Sequence, residues 1–515
     1  MGQNFIWADR GQVLLMPPSL MDWVSEDHLV WTVLGAVEQM DLRALYGAYR
    51  ANGQGRAAYD PAVMLALLIY AYAVGVSSSR AIERRCEVDV AFMVIMAMGV
   101  PDHSTIAEFR RRHQDAISDV FVGVLGLCCE AGLVDVGVIA IDGTKIRANA
   151  SRDRTRSYVQ IVEELLAEAE RVDREEDQRH GSDRGDELPV RLRTREERRA
   201  ALAEAKARLE AERERDLQSG DAEPFEPGFE IDRERLASAA GEGRRSWERS
   251  GSHQLQEHRA REASAVPRCR TERLQNARAR LEQDLAVEIA TNAAYEEHRA
   301  HGLTTSGRRP GGRAKPYHAP LLPEGRVNLS DPDSRLMHEK GRSKVQAYNA
   351  QAAVTTDGQI IIAAEIDVQG TDFGQLGPVF NAAVRDLHAA GVSQRPETAL
   401  ADAGYWHGEQ SDAIVAGGTR VLIAPDSGTS EKPRAGWTGG RYDFMRAVLA
   451  TETGHTLYQQ RARSIEPVFG QIKHNRGFRQ FRRRGRAAVR SEWRLITATH
   501  NLLKLHQHRI QTATT

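Results

Sequence analysis

Two apolar runs rich in small and β-branched residues, "LVDVGVIAIDGTKI" and "KVQAYNAQAAVTTDGQIIIAAEID", stand on either side of a block crowded with Arg and Glu, from about Arg152 to Arg326. This arrangement constrains the chain more than any other feature. The first run ends in Asp142-Gly143-Thr144 and reads as a buried strand delivering a carboxylate at its C-terminal end. The second divides at Asp357-Gly358 into a hairpin. Further on, "FGQLGPVFNAAVRDLHAAG" predicts a helix, "ETALADAG" a short strand ending at Asp402, and "TRVLIAPD" another strand. A three-strand meander followed by alternating helix and strand predicts an α/β fold, a mixed sheet with flanking helices.

The intervening block is of another kind. "YVQIVEELLAEAERV", "REERRAALAEAKARLEAERERDL" and "RLQNARARLEQDLAVEIATNAAYEEHRA" space Leu and Ala three and four apart, which gives narrow apolar stripes on charged helices. "RHGSDRGDELP" and "TSGRRPGGRAKP" read as flexible connectors. The block is thus a charged helical insertion, or else a solvated spacer without a fixed fold. Ahead of the first strand, Asp60 to about Gly132 predicts helices, with Pro61 in a first turn, Ser79 and Ser104 as caps, and Arg110, Arg111 and Arg112 projecting from a later turn. Short helices with projecting arginines suit a helix-turn-helix-like DNA-binding unit, and equally an ordinary helical packing domain.

At 515 residues two or three domains are expected. The net charge of -1 hides an uneven distribution, because Arg461, Arg463, Lys473, Arg476, Arg479, Arg482, Arg483, Arg484, Arg486 and Arg490 crowd one segment against a single acid, Glu466. Four cysteines form no CxxC or zinc-ligand pattern, which fits a reducing cytoplasm. The N-terminus lacks the pattern of a signal peptide, and the longest apolar runs fall short of the roughly 20 residues that span a bilayer. No Walker A loop, GxGxxG after a strand, GxSxG elbow or HExxH helix is present, which sets aside the common nucleotide, hydrolase and zinc-protease chemistries.

Asp142 and Asp402 each close an apolar strand, and strand ends in one sheet can be neighbours that offer carboxylate oxygens to a hard cation such as Mg²⁺. Each also reads as a turn former or helix cap. A third acid adds weight. In "YQQRARSIEPVFGQIKHNRGFRQFRRRG", Glu466 and Lys473 lie two helical turns apart and Tyr458 and Arg461 one turn apart. A carboxylate flanked by cations suits a metal ligand beside a phosphodiester backbone. Phe469, Phe478, Phe481 and Trp493 among the arginines read as base-stacking or as core residues. Trp406, four positions past Asp402, stacks on a displaced base or packs on its own domain. Asn349 and Gln351 share one strand face and line the site, or serve the ladder alone.

The order "AIDGTKIRANAS", "LADAGYW" and "YQQRARSIEPVFGQIKHNRGF" resembles the DDE transposases of bacterial insertion sequences, in the branch whose third motif is Y-(2)-R-(3)-E-(6)-K. The helical region from Asp60 to about Ile117 looks like their InsH-like N-terminal domain. One spacing departs: four residues, not three, separate Arg461 from Glu466, which leaves open whether Arg461 or Arg463 plays the arginine's part. The resemblance implies an RNase H-like sheet with Asp142 on its first strand, Asp402 after its fourth and Glu466 on a late helix. The implied division is an N-terminal arm over 1–59, a helical DNA-binding domain over 60–131, a catalytic domain over 132–151 and 327–510, and the insertion over 152–326.

It further implies two Mg²⁺ or Mn²⁺ ions, with Asp142 on both, Asp402 on one and Glu466 on the other, serving in-line attack on phosphorus. Tyr458, Arg461 or Arg463, Lys473, Arg476, Arg479, Arg482, Arg483 and Arg484 would meet DNA phosphates in a salt-sensitive, largely sequence-independent way. The partners implied are double-stranded DNA at the element's ends and target and a second copy of the chain, in the cytoplasm at the bacterial nucleoid. The alternatives are an RNase H-like nuclease without strand transfer and a transposase-derived DNA-binding regulator.

Overall fold

A computed structural model describes residues 20–49, 58–180, 195–219, 224–239, 243–261, 267, 269–301, 316–338, 344–426 and 437–514. Among the described residues a 3-10 turn at Leu20–Trp23 is followed by the α-helices α1 (Leu29–Glu38), α2 (Arg43–Tyr46), α3 (Pro61–Ala73), α4 (Ser79–Val88), α5 (Val90–Met96), α6 (His103–Arg112) and α7 (Gln114–Glu130). Helix α3 begins as its sequence dictates: Asp60 accepts the Ala62 N–H at 2.7 Å, and Pro61 takes the first position, where a missing N–H costs nothing. It is apolar all round and almost wholly buried, so it is a central helix and not a surface one.

The expected caps shift. Asp102, not Ser104, caps α6 by accepting the N–H groups of Ser104 and Thr105, because its carboxylate is placed to satisfy two orphan donors at once. Ser78 takes the cap position of α4, and Ser79 instead accepts from Arg110. Arg110 therefore does not project. It is buried, donating to the Tyr72 hydroxyl at 3.0 Å and to Ser77 O at 2.8 Å, while Arg111 and Arg112 stay exposed.

The principal sheet contains β1 (Val138–Arg147), β4 (Arg335–Met337), β5 (Val345–Thr355), β6 (Ile361–Asp367), β7 (Thr398–Ala401) and β8 (Arg420–Ile423), and β2 (Thr155–Ser157) and β3 (Arg326–Asn328) pair in a separate ribbon. Strand β5 runs antiparallel to both β6 and β1, whereas β1, β7 and β8 run parallel. This order and polarity make the mixed sheet RNase H-like, as expected. Gly358, at φ 71°, turns the β5–β6 hairpin where Asp357-Gly358 announces it. Strand β5 is buried from Gln346 to Thr355 without alternation, so both faces of the sheet are covered. Helices α13 (Leu376–Ala389), α14 (Gly408–Ala416), α15 (Gly440–Ala450), α16 (Glu452–Gly470) and α17 (Arg486–Thr514) complete the C-terminal part once the insertion is set aside.

One hydrophobic core runs from Val30 of α1 through the sheet to Leu505 of α17, and α17 packs on α1, α3, α7 and β6. Phe469, Phe478, Phe481 and Trp493 are all buried in it, so packing, not stacking on bases, explains them. The insertion is folded and helical, with α8 (Tyr158–His180), α9 (Arg195–Ser219), α10 (Arg233–Ala239), α11 (Arg244–Arg261) and α12 (Arg270–His301). It has two small cores of its own, around Ile161 with Leu274 and around Trp247 with Tyr295. The buried Arg259 guanidinium ties α11 to α12 through Asp284 at 2.8 Å. Residues 181–189 and 305–315 of the expected connectors lie outside the described residues. No described helix is long and apolar enough to cross a membrane.

Candidate active site

Strand β1 does not end at Asp142. It continues to Arg147 against β5, because Gly143, Thr144 and Lys145 keep pairing with Gln351, Ala350 and Asn349. What stops near Asp142 is the pairing with β7, whose register runs from Val138↔Thr398 to Ala140↔Leu400. Carried two residues on, that register sets Asp142 opposite Asp402, where β1 and β7 part. A parting of parallel strands is where a side chain can meet a ligand without a ladder in the way.

Asp142 accepts the Gly143 N–H at 2.7 Å on Oδ1 and the Arg461 guanidinium at 2.9 Å on Oδ2. Its carboxyl is nonetheless pushed up to about 6: burial is the largest cause, repulsion from Asp402 the next, and Arg461 offsets only part of the two. Asp402 caps the short turn Ala403–Tyr405, accepting the Gly404 N–H at 2.8 Å. It is a cap and a neighbour of Asp142 together.

A third carboxylate sits beside this pair. Asp372, in the loop between β6 and α13, accepts on Oδ1 from Asn349 at 2.8 Å and Gln351 at 2.9 Å, and its charge also raises Asp142. Gln351 is oriented in turn by the Tyr405 hydroxyl, which donates to its Oε1. The loop sequence "GTDFG" gives no sign of this, since an Asp among glycines reads as a turn. Gly143 makes the approach possible, because a Cβ there would lie 2.7 Å from Asp372 Oδ1 and 2.9 Å from Asn349 Oδ1.

Helix α16 covers the pair. Tyr458 donates to Ala401 O at 3.2 Å, one residue before Asp402, and the Arg461 guanidinium lies 6.0 Å from the Tyr458 ring centroid. Arg463, in contrast, is exposed and bonds Gln459, so Arg461 is the arginine that meets the acids. Pro467 leaves Arg463 O without its helical partner, and the Gln359 amide donates to it at 3.3 Å. The helix then widens into a π-turn at Gln471–Asn475, from which Lys473 donates to Thr144 Oγ1 at 3.1 Å and Lys145 O at 3.0 Å on β1.

Glu466 is exposed on α16. Five residues past Arg461, it stands about 140° round the helix from it at roughly 100° per residue. Ile465 holds the buried position instead. Among the described residues no three His, Cys, Asp or Glu side chains form a ready cation cage. The Asp142 and Asp402 oxygens, hard donors whose repulsion a cation relieves, still fit a divalent ion such as Mg²⁺.

The basic segment divides. Arg476 is buried, donating to Tyr72 O at 2.9 Å, Ile496 O at 3.2 Å and Thr499, and burial pushes its guanidinium down to about 9. It braces α3 against α17 and is not available to a phosphate. Arg479, Arg482 and Arg484 are exposed, and Arg483 is half-buried against Gln114 at 2.8 Å. Arg483 and Arg484 line a cleft of about 1740 Å³ between the N-terminal helices and the insertion, with Arg111, Arg112, Arg278 and Arg280 on its other walls. Trp406 lies in a separate pocket beside Asp372.

Two family models match this chain. Residues 18–112, from the start of the N-terminal helices through α6, match a transposase domain, DUF772. Residues 440–506, which carry Tyr458, Arg461, Glu466 and Lys473, match a transposase DDE domain. No curated protein and no solved structure matches.

Proposed function

We propose, for a chain that its two matched domains make a DDE transposase of an insertion element, that Asp142, Asp402 and Glu466 hold two divalent cations where DNA strands are cut and joined. The observation that carries this reading is the mutual repulsion of Asp142 and Asp402 at the parting of β1 and β7. Like charges fixed together in a largely buried site burden the folded chain until a cation joins them. Glu466, exposed on α16 within the matched DDE domain, would complete the set once α16 turns it toward the pair.

Bound Mg²⁺ or Mn²⁺ supplies Lewis acidity to the attacking and departing oxygens. Arg461 holds the Asp142 carboxylate in one orientation, Tyr458 pins α16 to β7, and Lys473 pins the π-turn that follows it to β1. In cleavage, a water oxygen bonds to phosphorus as the bond to the 3′ oxygen breaks. The water gives up one proton to solvent and the departing 3′ oxygen takes one up, so that one fragment ends in a 3′-hydroxyl and the other in a 5′-phosphate. In joining, that 3′-hydroxyl attacks a target phosphorus and displaces the target's own 3′ oxygen, so the bond count is unchanged. Arg479, Arg482 and Arg484 bind backbone phosphates through charge, without reading bases. The partners are double-stranded DNA and at least one further copy of the chain, since two element ends must meet, and the setting is the bacterial nucleoid.

The test is nicking of a supercoiled plasmid bearing the element's ends, with Mg²⁺ or Mn²⁺. Alanine at Asp142, Asp402 or Glu466 is expected to reduce nicking to background while gel-shift affinity for the ends is retained. Activity persisting in all three overturns the assignment. A pre-cleaved end with a free 3′-hydroxyl, incubated with target DNA, then separates a transposase from a nuclease that only hydrolyses.

A further inference from the structure

Asp372 draws more of the molecule to itself than a loop aspartate needs. Asn349 and Gln351 are almost wholly buried on β5, and both amides donate to its Oδ1, at 2.8 and 2.9 Å. Tyr405, buried as well, donates to Gln351 from behind. Stability does not call for this arrangement, because apolar residues of the same shape fill such positions at little cost. Its effect is to fix one carboxylate.

That carboxylate is fixed between the acid pair. Gly143 follows Asp142, and a Cβ on it would lie 2.7 Å from Asp372 Oδ1. On the other side, a Cβ on Gly404 would lie 2.9 Å from Asp402 Oδ1 and 3.5 Å from Asp372 Oδ2. Each acid of the pair is thus accompanied by a glycine that leaves room for the third. Among the described residues, Oδ2 of Asp372 and Oδ2 of Asp402 accept no hydrogen bond. The three carboxylates are not closed into a cage, and these two oxygens are free to turn to a shared ion.

Charge points the same way. Asp142, Asp402 and Asp372 face the guanidinium of Arg461, while Lys473 is bonded to Thr144 and Lys145 O. Three carboxylates less one guanidinium leave two negative charges, which one divalent cation cancels. Glu466, exposed and turned away on α16, is not needed for that balance.

We infer that Asp372 is a cation ligand, and that with Asp142 and Asp402 it holds the first divalent ion in the chain free of DNA, before Glu466 takes part. The inference rests on the reading of Asp142 and Asp402 as the cation-holding pair. It makes loading sequential: the second ion waits for α16 to bring Glu466 round.

The probe is Mn²⁺, added to the full chain without DNA, and loss of the free ion's paramagnetic resonance signal measures how many ions bind and how tightly. The native chain is expected to bind one Mn²⁺ at this site. Asp372→Asn is expected to bind it ~10–100-fold more weakly, the scale on which groups around a metal centre act. Asp372→Glu, which keeps the charge, should recover most of the affinity, and Glu466→Gln should leave it unchanged. Thermal unfolding separates a ligand from a structural aspartate. Without metal, Asp372→Asn should match or exceed the native midpoint, since a repulsion is removed, whereas saturating Mn²⁺ should raise the native midpoint more. Native Mn²⁺ affinity in Asp372→Asn, a midpoint below the native one already without Mn²⁺, or equal weakening in Glu466→Gln overturns the proposal. Asp142→Asn and Asp402→Asn are scored separately. If neither weakens Mn²⁺ binding, the reading of the pair falls; if both do and Asp372→Asn does not, this inference alone falls.

Discussion

Asp142 is surrounded by groups that each solve a different problem for one carboxylate. Arg461 supplies the countercharge, the Gly143 N–H direction, and Asp372 a like charge fixed by Asn349 and Gln351. Gly143 shows how tightly these are set. In Gly143→Ala the new methyl would fall 2.7 Å from Asp372 Oδ1 with the Gln351 amide closer still, so the carboxylate must move. We expect a stability loss of ~1–3 kcal/mol from overpacking and a fall in cleavage of ~10–100-fold, the usual cost of disturbing groups that orient metal ligands. Asp372→Asn keeps the shape and removes the charge, so it should lower the Asp142 pKa with the fold intact. Thermal unfolding and plasmid nicking check both variants. Nicking by Gly143→Ala at the native rate would show that the approach of Asp372 has no part in the chemistry. Asp142 and Asp402 are visible in the sequence because both close apolar runs. Asp372 is not, because nothing local distinguishes it from a turn aspartate and its partners are on a different strand.

Elements explain why the third acid is harder to read than the first two. The Asp142–Asp402 pairing follows from strand register, and register follows from the apolar runs that sequence displays openly. The position of Glu466 depends instead on the phase of α16, where a single extra residue after Arg461 shifts a side chain by roughly 100°, and that of Lys473 on a π-turn that no spacing rule foretells. The caps of α4 and α6 escape sequence reading for a similar reason, since Asp102 and Ser104 both suit the cap and only geometry chooses. Strand ends also carry a pH dependence. Asp367 ends β6 and Asp331 follows β3, and burial first of all pushes each carboxyl up to about 6. Neither Oδ2 has a hydrogen-bond partner among the described residues. A carboxyl raised on folding gives its full stabilisation below the ordinary value of 3.8 and loses it as pH climbs through about 6. The difference is worth up to ~3 kcal/mol per group. Asp367→Asn should therefore raise the unfolding midpoint at pH near 8, where the native carboxylate is charged, and change it little near pH 4. An equal rise at both pH values would mean that shape and not charge is responsible.

The molecule as a whole is two constructions with separate cores, joined by the β2–β3 ribbon and by pairs such as Arg280 with Asp333 and Arg486 with Gln256 O. The N-terminal helices are not set apart from the sheet by a core of their own: Tyr72, Arg110 and Arg476 knit α3, α6 and the basic segment together, and one core continues into α17. Sequence conceals this continuity, because an apolar helix such as α3 looks the same whether it packs on its neighbours or on the far end of the chain. The insertion is the opposite case. Its charge and helical period are plain in the sequence, and its small cores are separate from the main one. Its two ends meet as β2 and β3, where Ser157 faces Arg326 in an antiparallel pair. A short Asn-Gly turn joining Ser157 to Arg326 would close that ribbon as an ordinary hairpin. The shortened chain loses Arg280 from its 2.6 Å contact with Asp333 and the Gln256 carbonyl from its bond with Arg486, but nothing from the main core. It should thus unfold in one cooperative transition, because what makes that transition cooperative is retained. Circular dichroism on heating measures it. A shortened chain that fails to fold would place the insertion within the architecture of the catalytic core.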